Sequence, residues 1–154
     1  MPVIEKRLAE LGIILPAVAA PLAAYAPSVT VGNMVYISGQ LPREDGAIKI
    51  TGLVGKDIDL AAAQKAARLC AINIIAVLKD ACSGDLDRVA RCVKLGGFVA
   101  SATGFYDQPK VINGASELMQ ETWGEAGRHS RFAVGVSALP LDAAVEVEAI
   151  FALR

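Results

Sequence analysis

Residues 60–79 read LAAAQKAARLCAINIIAVLK and form the longest helical pattern in the chain. Asp59, directly before them, is a good N-cap residue, because its carboxylate can accept hydrogen bonds from the free amides of a first helical turn. Small and apolar residues recur at helical spacing and turn one face of this helix toward a core: Ala63, Ala67, Cys70, Ala71, Ile74, Ile75 and Leu78. A face built from such residues lets the helix lie close against a sheet.

Strand patterns lie on both sides of this helix. Before it, residues 29–31 and 34–38 flank Gly32-Asn33, a two-residue link typical of a tight antiparallel hairpin. After it, residues 89–100 predict a strand, residues 109–124 a second helix, and residues 131–138 and 145–153 two more strands. Few helices beside hairpin-linked strands predict an α+β fold with both helices on one face of the sheet. The opposite face then lacks cover within the chain, and self-association would supply it.

Length and composition narrow the class of protein. A chain of 154 residues is most simply one domain, long enough for a core that needs neither disulfides nor metals. A formal net charge of −1 gives no electrostatic reason to expect binding to nucleic acid or to a membrane surface. The three cysteines lack C-x-x-C spacing and there is a single histidine, which argues against a zinc site. We expect reduced cysteines, no metal and no cofactor.

Residues 1–24 form an N-terminal extension to the predicted fold. Residues 1–11 mix charged and apolar side chains, which is typical of a short amphipathic helix rather than a signal peptide. Pro16 and Pro21 interrupt the apolar residues 13–24, which are therefore too short and too broken for a membrane span. The cytoplasm is accordingly the expected location.

A lone arginine opens an otherwise apolar strand pattern at residues 131–136, RFAVGV. An arginine beside a buried strand needs an anion, and two interpretations are open. In one, Arg131 pairs with Glu146 or Glu148 across adjacent antiparallel strands. In the other, its planar guanidinium binds a substrate carboxylate and leaves Glu148 free to handle a proton.

Other motifs that could indicate phosphate binding, general base catalysis or RNA cleavage are weak in this sequence. Gly96-Gly97 lies inside a strand pattern and precedes no helix, which favours a bulge over a phosphate-binding loop. His129 is a single histidine on a predicted loop, where a structural role is more common than general base catalysis. The chain offers neither a basic stripe nor a histidine pair for cleaving RNA.

Several segments together resemble the RidA family of reactive-intermediate deaminases, whose members are also described as L-PSP endoribonucleases or translation inhibitors. The segments are Tyr25, GNMVYISGQLP at residues 32–42, Arg131, Leu139-Pro140 and VEVEAI at residues 145–150. They span most of the chain from about residue 25 to its C-terminus.

This resemblance implies a chorismate-mutase-like fold assembled as a homotrimer, with the sheets forming an inner barrel, the helices outside and ligand sites in clefts between subunits. It also implies hydrolysis of an enamine or 2-imino acid to ammonia and a 2-keto acid. Two alternatives remain open. One is a small-carboxylate-binding or stress-related interaction protein without turnover, and the other is the endoribonuclease of the family's older description.

The resemblance also assigns roles to individual positions. Arg131 matches the family arginine that holds the substrate carboxylate, and Glu148 matches the glutamate proposed to activate the attacking water. The matched substrate-binding positions are Tyr25, Ser38, Gly39, Asn113 and Ala133. Ala133 stands where the best-known members carry a cysteine, so only a backbone amide remains there. The N-terminal extension and the loop at residues 43–56 resemble a longer-chain subgroup, in which His129 and Trp123 could reshape the pocket.

Overall fold

The computed structural model describes residues 2–18, 20 and 23–154. Its helices are α1 (Val3–Glu10), α2 (Leu60–Ala81) and α3 (Gln108–Trp123). Its strands are β1 (Ser28–Val31), β2 (Met34–Gln40), β3 (Arg43–Glu44), β4 (Ala47–Ile48), β5 (Val89–Ala100), β6 (Ser130–Val136) and β7 (Val145–Leu153). Each helix and strand predicted from the sequence is present close to its expected bounds. The short β3 and β4 form a hairpin inside the loop expected at residues 43–56.

Five strands form one sheet in the order β1-β2-β7-β5-β6. Neighbouring strands are antiparallel except β5 and β6, which run parallel because α3 carries the chain back between them. Helix α2 packs against β2 and β7, α3 packs against β5 and β6, and the two helices contact each other. The predicted α+β arrangement, with both helices on one face of the sheet, is therefore confirmed.

Helix α2 forms as its sequence predicts. The Asp59 carboxylate accepts a hydrogen bond from the amide of Ala62 at 2.8 Å and so caps the first turn. Every residue of the predicted inner face is fully buried: Ala63, Ala67, Cys70, Ala71, Ile74, Ile75 and Leu78. By length and composition alone α2 could cross a membrane, but its apolar side is the one that packs into the core.

Two details of the predicted strand arrangement are wrong. Strands β6 and β7 are not adjacent, because α3 places β6 at the sheet edge and β5 lies between them. The ion-pair interpretation of Arg131 placed these strands side by side, but residues 137–144 carry the chain across β5. Gly96 and Gly97 are not a bulge either, since they pair in register with Glu148 and Val147.

The N-terminal extension begins with the expected short helix. The amides of Val3 and Ile4 donate to the two carboxylate oxygens of Asp87 at 2.8 and 2.9 Å, which fixes the start of α1. Leu8 on the inner side of α1 is buried, and the helix contacts α3. Pro21, expected to break the following apolar stretch, lies outside the described residues.

The face of the sheet opposite α2 and α3 is called the open face. Its large side chains include Tyr36, Phe98, Phe132, Val134 and Ile150, and no described helix packs on them. Phe98 and Phe132 meet edge to face with their ring centroids 5.3 Å apart, and the Lys94 ammonium lies 5.2 Å from the centroid of Phe132. Tyr36 and Val134 remain 47% and 43% exposed, so the open face is an uncovered apolar surface of one chain.

Candidate active site

Arg131 lies on the edge strand β6 and points toward α3. Its Nη1 donates hydrogen bonds to Asn113 Oδ1 at 2.8 Å and to Ser116 Oγ at 3.1 Å. Both acceptors are neutral, and no ion pair among the described residues involves Arg131. Burial lowers the pKa of the guanidinium from its ordinary value. Arg131 is thus a partly desolvated cation that lacks an anion within the described part of the chain.

The ion pair between Arg131 and Glu146 or Glu148 is not formed within one chain. Gly96 pairs with Phe132 on one side and with Glu148 on the other, so Phe132 and Glu148 share the open face. Side chains alternate along a strand, which puts Arg131 on the helix-covered face. That interpretation of the sequence is therefore wrong, because the sheet itself separates the opposite charges.

The two carboxylates of β7 lie on the open face above a pair of glycines. A Cβ built on Gly96 would stand 2.8 Å from both Cγ and Oε1 of Glu148, and one on Gly39 would collide with Glu146 Oε1. The absence of side chains at these two positions leaves room for the carboxylates to lie against the sheet. Glu148 is exposed, whereas Glu146 is half-buried.

Strand β2 bulges opposite Glu148. Ile37 pairs with Ala149 and Gln40 pairs with Val147, so Ser38 and Gly39 together oppose the single residue between them on β7. Bulges of this kind re-aim side chains and are common beside active sites. The bulge breaks the ladder next to Glu148 and leaves that carboxylate at an irregular, accessible point of the sheet.

The segment before β1 runs along the bulge. Ser38 donates through its hydroxyl to the carbonyl of Ala26 at 2.7 Å and through its amide to the carbonyl of Pro27 at 3.0 Å. These bonds hold the segment that follows Tyr25, whose side chain is 49% exposed. The bulge residues Ser38 and Gly39, Glu148 opposite them and Tyr25 in the adjoining segment are here called the glutamate group.

The second group lies on the helix-covered side of the sheet. Asn113 contacts Arg131 directly, and Ala133 follows two residues later on the same side of β6, partly buried against the core. Arg131, Asn113 and Ala133 are here called the arginine group. The predicted site residues therefore divide between the two faces of one sheet.

Glu146 and His129 are the titratable neighbours of these groups. Burial, with a smaller contribution from Glu148, raises the pKa of Glu146. His129 contacts the Gly127 carbonyl through Nδ1 at 2.7 Å and Ser116 Oγ through Nε2 at 2.9 Å. Burial lowers the pKa of His129. The hydrogen bond to the Gly127 carbonyl raises this pKa, and the positive charge of Arg131 lowers it.

A family model described as "YjgF/chorismate mutase-like, putative endoribonuclease" matches residues 5–153. The chain belongs to this family. Its membership confirms the RidA resemblance of the sequence and the chorismate-mutase-like fold that the resemblance implied.

Relatives in this YjgF-like family match along nearly the whole chain. Protein TCP17 of Trypanosoma cruzi is 46% identical over 152 residues, which cover 98% of this chain and 94% of that protein. The crystal structure of Atu1372 from Agrobacterium tumefaciens, a protein of unknown function, is 53% identical with a TM-score of 0.92, covering 99% of this chain and 94% of that one. Both matches include the N-terminal extension.

One structural neighbour carries a small ligand. The E. coli protein TdcF, solved with bound serine, is 27% identical with a TM-score of 0.61 and covers 91% of this chain and 93% of that one. Serine has an α-carboxylate and an α-amino group. Small-molecule binding is thus found in a protein of this fold.

Sequence reasoning missed one residue of the arginine group's surroundings. Ser116 binds Arg131 from α3, and its position three residues after Asn113 puts both side chains on one helical face. The three-residue spacing between Asn113 and Ser116 on a predicted helix is the feature of the sequence that could have identified Ser116. His129 also reaches this cluster, whereas Trp123 packs against Phe151 in the core with ring centroids 5.5 Å apart.

Proposed function

We propose that this protein hydrolyses 2-imino acids, or the enamines in equilibrium with them, to 2-keto acids and ammonia. The observation that carries the proposal is the state of Arg131. Neutral acceptors hold its Nη1, and no described residue accepts a hydrogen bond from its Nε or Nη2. A planar edge with two parallel N–H donors and an uncompensated charge suits a carboxylate.

The site is completed by a second copy of the chain. The arginine group and the glutamate group lie on opposite faces of one sheet, so no small substrate touches both within a single protomer. The uncovered apolar side chains of the open face supply a reason for copies to associate. We therefore propose a homotrimer in which each cleft takes the arginine group from one protomer and the glutamate group from its neighbour.

The chemistry needs little beyond positioning and one proton shuttle. Water adds to the electrophilic C2 of the imine, and Glu148 accepts a proton from that water as the C–O bond forms. The same carboxyl group returns that proton to the imine nitrogen, which gives a carbinolamine. It then carries the hydroxyl proton to the nitrogen as the C–N bond breaks and the C2–O bond becomes a carbonyl, so ammonia leaves with the 2-keto acid as the other product. Arg131 holds the substrate carboxylate while C2 reacts, which converts a bimolecular encounter into an oriented one.

Two further observations support the setting of this reaction. The serine bound to TdcF carries the same α-carboxylate and C2 nitrogen that a 2-imino acid presents. The cysteines Cys70, Cys82 and Cys92 are all free and buried, which favours a reducing compartment, and we propose the cytoplasm. Imaging of a tagged chain checks that location.

The main test follows 2-keto acid release from 2-iminobutanoate generated enzymatically in the assay. We expect the wild type to exceed the buffer rate and both Arg131→Ala and Glu148→Gln to lose this excess. Arg128→Ala serves as the matched control, because Arg128 is an exposed arginine nearby that faces Glu125 instead. A wild-type rate equal to the buffer rate would remove the deaminase proposal.

A complementation experiment tests the shared cleft. Arg131→Ala and Glu148→Gln chains are co-expressed, and the mixed assemblies are assayed. Random assembly gives about a quarter of the wild-type activity, since each interface has roughly one chance in four of joining an intact arginine group to an intact glutamate group. Activity no higher than that of the separate variants would show that both residues act within one chain.

The family description keeps ribonuclease as a second candidate. It predicts cleavage of single-stranded RNA that persists through repurification and disappears on mutation of a site residue. A third outcome, carboxylate binding through Arg131 without turnover, would indicate a ligand-binding or interaction protein with the same clefts.

A further inference from the structure

The hydrogen bonds around His129 have a fixed direction. The Gly127 carbonyl can only accept, so the hydrogen of that 2.7 Å contact belongs to Nδ1 of His129. In a neutral imidazole Nε2 is then the acceptor, and the hydroxyl of Ser116 donates to it at 2.9 Å. The lone pairs of the same hydroxyl accept from Arg131 Nη1 at 3.1 Å. The chain of donors thus runs from Arg131 through Ser116 to His129, and His129 donates in turn to Gly127.

These hydrogen bonds occupy one nitrogen of the guanidinium, Nη1. Nη1 carries two hydrogens, and Asn113 and Ser116 take one each. Ser116 is only 7% exposed, so its hydroxyl has little access to water as a substitute partner. The plane of the guanidinium is consequently fixed by two acceptors on one face of α3, and the edge formed by Nε and Nη2 is left for a ligand.

We infer that Ser116 and His129 are positioning residues that hold the Nε and Nη2 edge of Arg131 ready for a small α-carboxylate. This inference rests on the proposed role of Arg131 in binding the substrate carboxylate. His129 does not touch the ligand in this arrangement. It keeps the Ser116 hydrogen turned away from Arg131, so that the hydroxyl presents its lone pairs to the guanidinium.

The neutral form of His129 is required for this direction. A protonated ring would donate from Nε2 to Ser116 Oγ, which reverses that hydrogen bond and places a second cation beside Arg131. The charged groups near His129 are mainly cationic. Arg131 follows two residues later on β6, and Arg128 directly precedes His129. Arg91 of β5 binds the Arg128 carbonyl, while the acidic Glu125 is drawn toward Arg128. These surroundings favour the neutral ring.

Binding of 2-oxobutanoate, measured by isothermal titration calorimetry, separates positioning from mere structural support. Ser116→Ala removes one of the two acceptors on Nη1, and His129→Leu leaves the Ser116 hydrogen free to turn toward Arg131. The guanidinium is then fixed by Asn113 alone and must be ordered further on binding, so we expect the Kd to rise about two- to tenfold. Thr122→Val is the matched control, since Thr122 is another buried α3 hydroxyl but donates to the backbone of Leu118 at 2.7 Å. His129→Gln retains an acceptor for Ser116 and should recover part of the affinity.

Kinetics and NMR give independent readings. In the imine assay Ser116→Ala should raise KM with kcat nearly unchanged, because the lost interaction acts on the substrate carboxylate throughout the reaction. In the unliganded wild type, nitrogen-15 shifts of His129 should report a protonated Nδ1 and a bare Nε2.

The outcomes distinguish this inference from the proposed function. If Arg131→Ala abolishes 2-oxobutanoate binding while Ser116→Ala and His129→Leu bind like the wild type, the positioning role is overturned and the function stands. If the wild type neither binds 2-oxobutanoate nor accelerates the imine reaction, the proposed function and the positioning role fall together. A protonated Nε2 would refute the hydrogen-bond direction in either case.

Discussion

The placement of Glu148 on the open face can be tested through Gly96, which lies beneath it on β5. In Gly96→Ala the new methyl group would stand 2.6 Å from Phe132 Cζ and 2.8 Å from Glu148 Cγ and Oε1. Ordinary van der Waals contact begins at 3.4 Å, so Glu148 Cγ must retreat by 3.4 − 2.8 = 0.6 Å. A shift of this order at a reacting group lowers kcat by about ten- to a hundredfold, since misplacement by about 1 Å can remove about two decades of rate.

The neighbouring glycine supplies the matched control. In Gly97→Ala the methyl group points to the other face and would stand 2.5 Å from Cγ1 and 2.6 Å from Cδ1 of the fully buried Ile112. Overpacking there should lower the free energy of unfolding by about 1–3 kcal/mol. It leaves Glu148 untouched, so the kcat of the folded fraction should remain near that of the wild type.

Two measurements on each variant decide the matter: kcat and KM for 2-iminobutanoate, and the free energy of unfolding in urea. The expected result is a crossed pattern. Gly96→Ala loses mainly rate, because Phe132 and Glu148 lie on the open face without full burial and can shift outward, whereas Gly97→Ala loses mainly stability, because Ile112 is fully buried. A wild-type kcat in Gly96→Ala would refute the reasoning, because a residue that shuttles the reacting proton cannot be displaced without loss of rate.

Three further predictions concern titration and capping. Burial raises the pKa of Glu146, so the contribution of Glu146 to stability is fully present below the ordinary carboxyl pKa and is lost as the pH rises through the raised value. The free energy of unfolding in urea, measured between pH 4 and 8, should therefore decline less with pH in Glu146→Gln than in the wild type. Burial lowers the pKa of His129, so the contribution of His129 to stability is present above the ordinary histidine pKa and is lost as the pH drops through the lowered value. In the same unfolding measurement His129→Gln should show a smaller loss of stability at low pH. Asp59→Ala removes the 2.8 Å cap on the amide of Ala62 and should lower the free energy of unfolding by about 1 kcal/mol, while Asp59→Asn, which keeps an acceptor, should lose less.

The elements of this fold were predictable because local periodicity encodes them. The inner face of α2 repeats at helical spacing, and every residue assigned to it from the sequence is buried. The alternation of β7 is equally clear, since Val145 and Val147 are buried and Glu146 and Glu148 lie on the other side. Each of these predictions depends only on residues close together in the chain.

The order of strands and the face of Arg131 were not encoded in this way. Strand β6 is apolar on both sides of Arg131, with Phe132 and Val134 alternating with Ala133 and Gly135, so no polar alternation marks which face is covered. The insertion of β5 between β6 and β7 depends on how α3 returns the chain, which is a long-range property. The ion-pair interpretation of Arg131 needed neighbouring strands and a shared face, and the structure has neither.

Because Arg131 and Glu148 do not pair within one chain, the candidate site has different requirements. Had Arg131 met Glu148 across a ladder, each would have neutralised the other, and neither would have been available to a substrate. The sheet instead keeps the cation on the side of α3 and the carboxylate on the open face, above Gly96 and beside the bulge at Gly39. Among the described residues neither charge has an ion-pair partner, so a third component is needed to bridge the two. In the proposed assembly that component is the substrate, held by Arg131 of one protomer and attacked by the water that Glu148 of its neighbour activates, so catalysis should depend on association of the chains.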